Sequence, residues 1–517
     1  MLEQLPFFPA DNRYDPLFDS SVNELLLDGY TNQKTAQDGF LGFHHLKYTT
    51  SNAKQIARLF SMSMGFQEIA YRGLETGSRV VSSHVVKNGQ IIIEFISPLK
   101  ACDENPSMLP ATYETWSQTT AQILEDKLIS INNQMFAMVE KVIGNSLEES
   151  LVINEDKKQQ ILNQIRSTSQ YGGMMKLFER LTADVSQYST LTIHDLMDSF
   201  LISNYLTYHG EGVMDMSFEV VDVDRIFDKA VKAGAVVIKT PKVFFDQYGS
   251  MKLATVGIPD TDIHHTLVEN INYQGSYLPG YIDPVEECAD TGNTPVMLYT
   301  IDHCVENYSW NQMITQAKLY AKMFGFHKFW SVDDTEIATE NSSLNSFVVA
   351  SSNGKIKMPI NEPSEGKMKG QIEEFNDFNG GPGIQHIAMR TFNIIDTVSS
   401  MKANGVKFNE ISSKYYETLS RRLQHDDIRL IEDFETLRKL NILVDYDVTT
   451  RNPKTKVCAY LLQIFTKPLG DRPTIFLEII QRHHHQGFGK GTFKALYQSI
   501  ELEQFKRGNL VPSTRTT

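Results

Sequence analysis

The stretch TIDHCVENYSWNQMITQAKLYAKMFGF, residues 300–326, has a counterpart earlier in the same chain: GFHHLKYTTSNAKQIARLFSMSMGF, residues 42–66. Each reads as a short strand, an amphipathic helix and a Gly-Phe stop. In the later copy Met313, Ala317, Tyr320 and Phe324 recur at helical spacing, which predicts one face turned towards a sheet. Gly65 and Gly325 stand where a helix needs a left-handed terminating residue. Both copies run on into two β-rich segments joined at Asn-Gly: SSHVVKNGQIIIEF around Asn88-Gly89 and SFVVASSNGKIKMPI around Asn353-Gly354. Asn and Gly tolerate the positive φ of a tight hairpin. The unit is a strand, a helix and further antiparallel strands.

A second pair of units follows the first. VMDMSFEVVDVDRIFDKAVKAGA, residues 213–235, aligns without a gap with IQHIAMRTFNIIDTVSSMKANGV, residues 384–406. Similar final strands close both, HHTLVENI at 264–271 and TIFLEII at 474–480. The reading is an α+β fold of four βαβββ-like modules, two per domain, each domain built on a curved antiparallel or mixed sheet. The expected domains are 1–296 and 297–517. The turn-rich YLPGYIDPVEECADTGNTP, residues 277–295, is read as the linker. Residues from about 103 to 199 fit neither copy and carry helical patterns, which predicts a helical insertion in the first domain.

Composition narrows the function. The chain has 517 residues, 41% hydrophobic and 22% charged, as in an ordinary globular protein. A net charge of -14 opposes a nucleic-acid or anionic-membrane partner, since both need a basic face. No secretory pattern opens the chain, and no apolar run is long enough to span a membrane. Cys102, Cys288, Cys304 and Cys458 are scattered, which disfavours a disulfide framework or thiolate zinc site and suits a reducing cytoplasm.

The repeat also organises the chemistry. His303 lies on the first strand of one module, His386 on the first strand of the next and Glu478 on a final strand. Equivalent strands of paired modules can line one cavity. Two imidazoles and a carboxylate, with positions left open for substrate and O2, suit a non-haem Fe(II) oxygenase. The alternative is three ordinary strand residues. The first domain offers a competing set at matched positions, His45, Asp215 and Glu269. One imidazole with two carboxylates is a less usual Fe(II) set, and this domain lacks the amide- and aromatic-rich surround, so its residues are read as structural. His264-His265 and the run 483–485 are poor ligand candidates, because neighbours on a regular strand face opposite ways. The segment QGFGKGTFKALYQSIELEQFKRG, residues 486–508, lacks a phosphate-loop pattern and is read as a hinge followed by a helix able to cover a pocket.

At these residues the chain resembles the 4-hydroxyphenylpyruvate dioxygenase family. The matching stretches include AYRGLETGSR (70–79), LPGY (278–281), FWSVDDT (329–335), KMPINEP (357–363), NGGPGIQHIA (379–388), LLQIFTKP (461–468), DRPTIFLEIIQRHHHQGFGKGTF (471–493) and RGNL (507–510). The resemblance implies a duplicated vicinal-oxygen-chelate fold. It implies Fe(II) held by His303, His386 and Glu478, with a C-terminal lid helix. It carries over Gln385 and Gln463 as groups beside the metal, and Ser346, Asn361, Gln371, Phe465, Phe476, Phe488 and Phe493 as substrate contacts. Tyr497 stands where the family often has Phe.

The implied reaction joins 4-hydroxyphenylpyruvate and O2 to give homogentisate and CO2 in tyrosine and phenylalanine catabolism. The substrate supplies its own 2-oxo acid. A homodimer is the expected assembly. Two alternatives stand beside this reading: a 4-hydroxymandelate synthase, and a non-catalytic small-molecule binding protein of the same fold.

Overall fold

The computed structural model describes residues 38–78, 80–99, 193–284, 294–332, 339, 341–489 and 491–512. Most of the expected insertion, at 103–192, lies outside these residues, as do 285–293 of the expected linker. The chain forms two compact units. One comprises Met1–Tyr71, Ser83–Ile96 and Tyr205–Thr517 and carries nearly all of the described structure. The other comprises Arg72–Ser82 and Ser97–Asn204.

The first sheet contains β1 (Phe40–Thr49), β2 (Gln67–Arg72), β3 (Val81–Asn88), β4 (Ile91–Pro98), β5 (Gly212–Val220), β6 (Val236–Asp246), β7 (Gly249–Gly257) and β8 (His264–Asn270). The second contains β9 (Thr300–Asn307), β10 (His327–Val332), β11 (Ser343–Ala350), β12 (Lys357–Ser364), β13 (Gly383–Arg390), β14 (Leu443–Asp447), β15 (Ala459–Phe465) and β16 (Phe476–His483). Their strand orders are β2-β3-β4-β1-β5-β8-β7-β6 and β10-β11-β12-β9-β13-β16-β15-β14, the same order displaced by one repeat. Each is a curved, mixed, eight-stranded sheet, the duplicated arrangement that the repeats predict. The first strands of paired modules run antiparallel side by side, β1 with β5 and β9 with β13. Each is flanked by the parallel final strand of its own module.

The helices are α1 (Ala53–Met64), α2 (Ile193–His209), α3 (Val223–Lys232), α4 (Met313–Phe324), α5 (Gln371–Asn379), α6 (Ile394–Ala403), α7 (Ser413–His425), α8 (Phe434–Leu440) and α9 (Phe493–Arg507). The predicted inward face of α4 is buried at Met313, Ala317, Tyr320 and Phe324. Gly65 and Gly325 end α1 and α4 at φ 70° and 80°, the left-handed conformation that glycine adopts without steric cost. Helices α7 and α8 fall between α6 and β14. The first half has no described helix between α3 and β6.

Final strands also brace the helices. Asp222 and Asn393 cap α3 and α6 through their side chains. In addition Val223 N donates to Glu269 Oε2 at 2.9 Å, Ile394 N to Gln481 Oε1 at 2.7 Å and Met313 N to Glu362 Oε2 at 3.0 Å. Three modules thus spend a final-strand side chain on an unpaired helix N–H. This is what Glu269 does. Between the two sheets, Phe40 and Phe218 pack against Phe324 and Phe326. The Tyr320 hydroxyl lies 2.6 Å from Glu306 Oε1 and 2.7 Å from His265 Nε2. Burial pushes the Glu306 carboxyl up to about 7.

Candidate metal centre

His303, His386 and Glu478 come from three neighbouring strands, β9, β13 and β16. Register fixes the meeting: Ala388 lies opposite His303 on one side and Glu478 on the other. Their donor atoms all lie within 4.8 Å of one another. Glu478 Oε2 is 3.2 Å from His303 Nε2 and 3.4 Å from His386 Nε2. Burial pulls the His303 imidazole down, but Glu478 and Asp302 outweigh it and hold the ring above its ordinary value. Burial prevails at His386 and lowers it. Burial would raise Glu478, yet the two imidazoles keep it below the ordinary carboxyl value.

Both histidines sit beside a β-bulge, which inserts an unpaired residue and turns its side chain off the regular alternation. In the β9–β13 ladder the extra residues are Asp302 and Gln385. Each therefore reaches the histidine that follows it. His303 Nδ1 donates to Asp302 Oδ1 at 2.8 Å, and His386 Nδ1 donates to Gln385 Oε1 at 2.9 Å. An Nδ1–H held this way leaves the Nε2 lone pair facing the other side, towards Glu478. Arg482 Nε and Nη2 hold Asp302 in turn, at 2.7 and 2.8 Å.

The donor set fits a divalent cation on a further count. Glu478 is 2% exposed, and its Oε1 has no hydrogen-bond partner among the described residues. A buried carboxylate oxygen left unpaired is costly, and a cation beside it would remove that cost. Two nitrogens and a carboxylate with space around them is a donor set for Fe(II).

The three residues line a cavity of about 550 Å³, counting the open solvent at its mouth. Ser346 and Asn361, paired across β11 and β12, also line it, with Gln371 at the start of α5 and Gln385 on β13. Gln385 Nε2 donates to Gln371 Oε1 at 3.3 Å. Phe465, Phe476, Phe488 and Phe493 line the cavity as well. Phe476 stacks on His386 at 4.9 Å between centroids, and Phe488 meets the edge of His303 at 5.0 Å. Gln463 is buried but does not line the cavity. Its amide donates to Thr492 Oγ1, just before α9. From α9 itself, Phe493, Leu496 and Tyr497 line the cavity, and the Tyr497 hydroxyl interacts with the Gln371 side chain.

Residues 300–426 match the Glyoxalase/Bleomycin resistance protein/Dioxygenase superfamily. Over 480 residues the chain is 38% identical to a 4-hydroxyphenylpyruvate dioxygenase of Yarrowia lipolytica, covering 92% of this chain and 94% of that protein. The chain belongs to the 4-hydroxyphenylpyruvate dioxygenase family. The family member from Dictyostelium discoideum is 36% identical, with 91% of this chain and all of that protein covered. A solved mutant of 4-hydroxymandelate synthase from Streptomyces coelicolor shares the fold. It has a TM-score of 0.60 and 22% identity, over 90% of this chain and 99% of that one.

The competing set in the first half needs a correction. Asp215 sits opposite His264 as His386 sits opposite Phe476, so the counterpart of Glu478 is Thr266 and not Glu269. Glu269 lies three residues further on, at the position of Gln481, and shares its role at a helix N-terminus. His45, Asp215 and Thr266 do meet, but they satisfy one another. Thr266 Oγ1 donates to Asp215 Oδ2 at 2.6 Å, Ser217 Oγ donates to Asp215 Oδ1 at 2.7 Å, and Ser217 Oγ lies 3.0 Å from His45 Nε2. The buried Tyr277 packs edge-on against His45 at 5.1 Å.

Within the second half, sequence reasoning passed over Asp302 and Arg482. Strand alternation points Asp302 away from His303, and only the bulge brings it back. Arg482 was findable, since it lies four residues after Glu478 and so on the same face of β16.

Proposed function

We propose that this member of the 4-hydroxyphenylpyruvate dioxygenase family binds Fe(II) through His303 Nε2, His386 Nε2 and Glu478. We further propose that it converts 4-hydroxyphenylpyruvate and O2 to homogentisate and CO2. One oxygen atom enters the ring and the other the new carboxylate. The observation that carries the reading is the convergence of the three donor atoms, with the buried Glu478 Oε1 unpaired, in a cavity lined by amides and phenyl rings.

When bound, the ion would supply the redox chemistry by which O2 oxidises and decarboxylates the 2-oxo acid. The protein residues supply geometry. Asp302 and Gln385 fix both imidazoles with Nε2 inward. Phe465 and Phe493 are assigned to the substrate ring, which they can flank by stacking. Ser346, Asn361 and Gln371 offer hydrogen bonds to its phenol, and Gln385 offers one near the carboxylate end. Gln463, which faces Thr492, is assigned an indirect part: it anchors the segment before α9. Phe476 and Phe488 pack on the two imidazoles and keep water from them. Helix α9 closes the cavity as a lid and excludes water during turnover.

Among the described residues no helix is long and apolar enough to cross a membrane. Cys304 and Cys458 are buried free thiols, which supports a reducing cytoplasm as the compartment. A homodimer is the assembly we expect.

The test is anaerobic loading with Fe(II), addition of 4-hydroxyphenylpyruvate and O2, and analysis of products. Homogentisate with CO2 is the expected result. 4-Hydroxymandelate would assign the benzylic reaction instead, and iron binding without turnover would leave only a binding function.

A further inference from the structure

Arg482 and Asp302 form the most deeply buried ion pair near the cavity, with side chains 3% and 2% exposed. Two charges taken out of water cost several kcal/mol each, and a pair of this kind seldom repays that cost in stability alone. The arginine is also nearly saturated. Nε and Nη2 donate to the two oxygens of Asp302, while Nη1 donates to the carbonyls of His485 and Gly487 at 2.9 and 2.6 Å. Four of the five N–H groups of a guanidinium are thereby used. Those two carbonyls belong to the turn that leaves β16 and leads to α9. The next residue, Phe488, lies against the guanidinium with its centroid 5.6 Å away, and its ring meets His303 at 5.0 Å.

The contacts close into a loop. His303 is held by Asp302, Asp302 by Arg482, and Arg482 holds residues 485–487. Phe488 then returns to His303. No member can move without disturbing another. We infer that Arg482 is a positioning residue that couples the orientation of His303 to the closed state of residues 485–489. A metal ion held on His303 Nε2 would then favour the closed turn, and opening the turn would weaken the metal. The inference rests on the proposed metal site. It adds that the site and the approach to the lid form one mechanical unit.

The fork geometry explains why arginine is needed. Lysine could pair with Asp302, but its single ammonium cannot bond both carboxylate oxygens and two carbonyls from one plane.

The test is hydrogen exchange by mass spectrometry on peptides covering residues 485–489 of the full chain. It is run anaerobically with and without Co(II), a redox-quiet probe for the metal, and calorimetry measures Co(II) affinity in parallel. In the wild type, Co(II) should slow exchange in this segment. In Arg482→Met and in Asp302→Asn the affinity should fall by about 10–100-fold, as for lost outer partners of metal ligands. At saturating Co(II) the protection of 485–489 should be lost. Arg482→Lys keeps the charge, so it should recover much of the affinity without the protection. Because Arg482→Met removes a buried partner and can unfold the chain, the wild-type comparison and Arg482→Lys carry the test independently. Wild-type protein that binds Co(II) with unchanged exchange at 485–489 would overturn the coupling, as would full protection in Arg482→Lys. Wild-type protein that binds no Co(II) at all would instead overturn the metal site on which the inference rests.

Discussion

The two halves of the chain place different residues on the same scaffold. Strand order, the antiparallel junction of first strands and both bulges recur. The matched bulge residues are His44 and Met214 in the first half, which has a further irregularity at Leu41, and Asp302 and Gln385 in the second. The three central positions hold His45, Asp215 and Thr266 in one half and His303, His386 and Glu478 in the other. In the first half every polar atom of Asp215 has an internal donor, and Tyr277 fills the space beside His45. In the second half the imidazoles are held from behind, a carboxylate oxygen is left unpaired, and a cavity opens in front. The fold supplies convergence in both halves. A metal centre needs more: a third anionic donor, acceptors behind the histidines, and internal donors withheld from the carboxylate.

The sharpest way to break this comparison is to remove a ligand. His303→Ala or His386→Ala should cut both metal affinity and turnover by more than the ~100-fold expected for outer partners alone, whereas His45→Ala should leave metal content unchanged. Metal analysis beside an oxygen-uptake assay reads both, and loss of metal in His45→Ala would break the assignment of roles to the halves.

A smaller effect is expected at the lid. A chain ending before Thr492 keeps all three donors, so it should retain Fe(II). Without Phe493, Leu496 and Tyr497 the cavity opens to water, and homogentisate formed per O2 consumed should fall. Fully coupled turnover by a folded truncated protein would rule the lid out.

In the first half the prediction concerns stability. Burial would raise the Asp215 carboxyl, but Lys47, Thr266, His45 and Ser217 outweigh it and hold it below the ordinary 3.8. A lowered folded-state value means stability that is fully present above 3.8 and is lost as the pH falls through the lower, folded-state value. Asp215→Asn should therefore cost about 1–3 kcal/mol at neutral pH and flatten the acid limb of the unfolding curve, with metal content unchanged. An acid limb as steep as the wild type's would contradict the role given to Asp215.

The smallest effect is expected at Tyr497. Losing its hydroxyl removes a polar interaction with Gln371, about 0.5–1.5 kcal/mol. Tyr497→Phe should shift KM a few-fold with little change in metal affinity. A large loss of metal would show that the hydroxyl acts at the centre and not on the neighbouring amide.

Much of this was legible in the residues, for a physical reason in each case. Helical spacing in α4 and the Gly65 and Gly325 stops followed from local geometry, and the gap-free alignment of 213–235 with 384–406 revealed the duplication. The convergence of His303, His386 and Glu478 was legible because the repeat said which strands meet. The third position of the first half was misread because Glu269 and Glu478 look alike in their strands, whereas register across β5 and β8 selects Thr266. The two bulges were illegible for a different reason. They break the period-2 alternation on which any strand reading rests, and Asp302 reaches His303 only through one of them. Helices α7 and α8 have no counterpart among the described residues of the first half, so the repeat could not announce them.

One measurement tests the comparison most directly: Fe(II) bound per chain, titrated anaerobically, in the wild type and in Glu478→Thr. This substitution writes the first half's residue into the second. The account predicts a single ion in the wild type and none in Glu478→Thr. An ion retained at wild-type affinity in Glu478→Thr would contradict it.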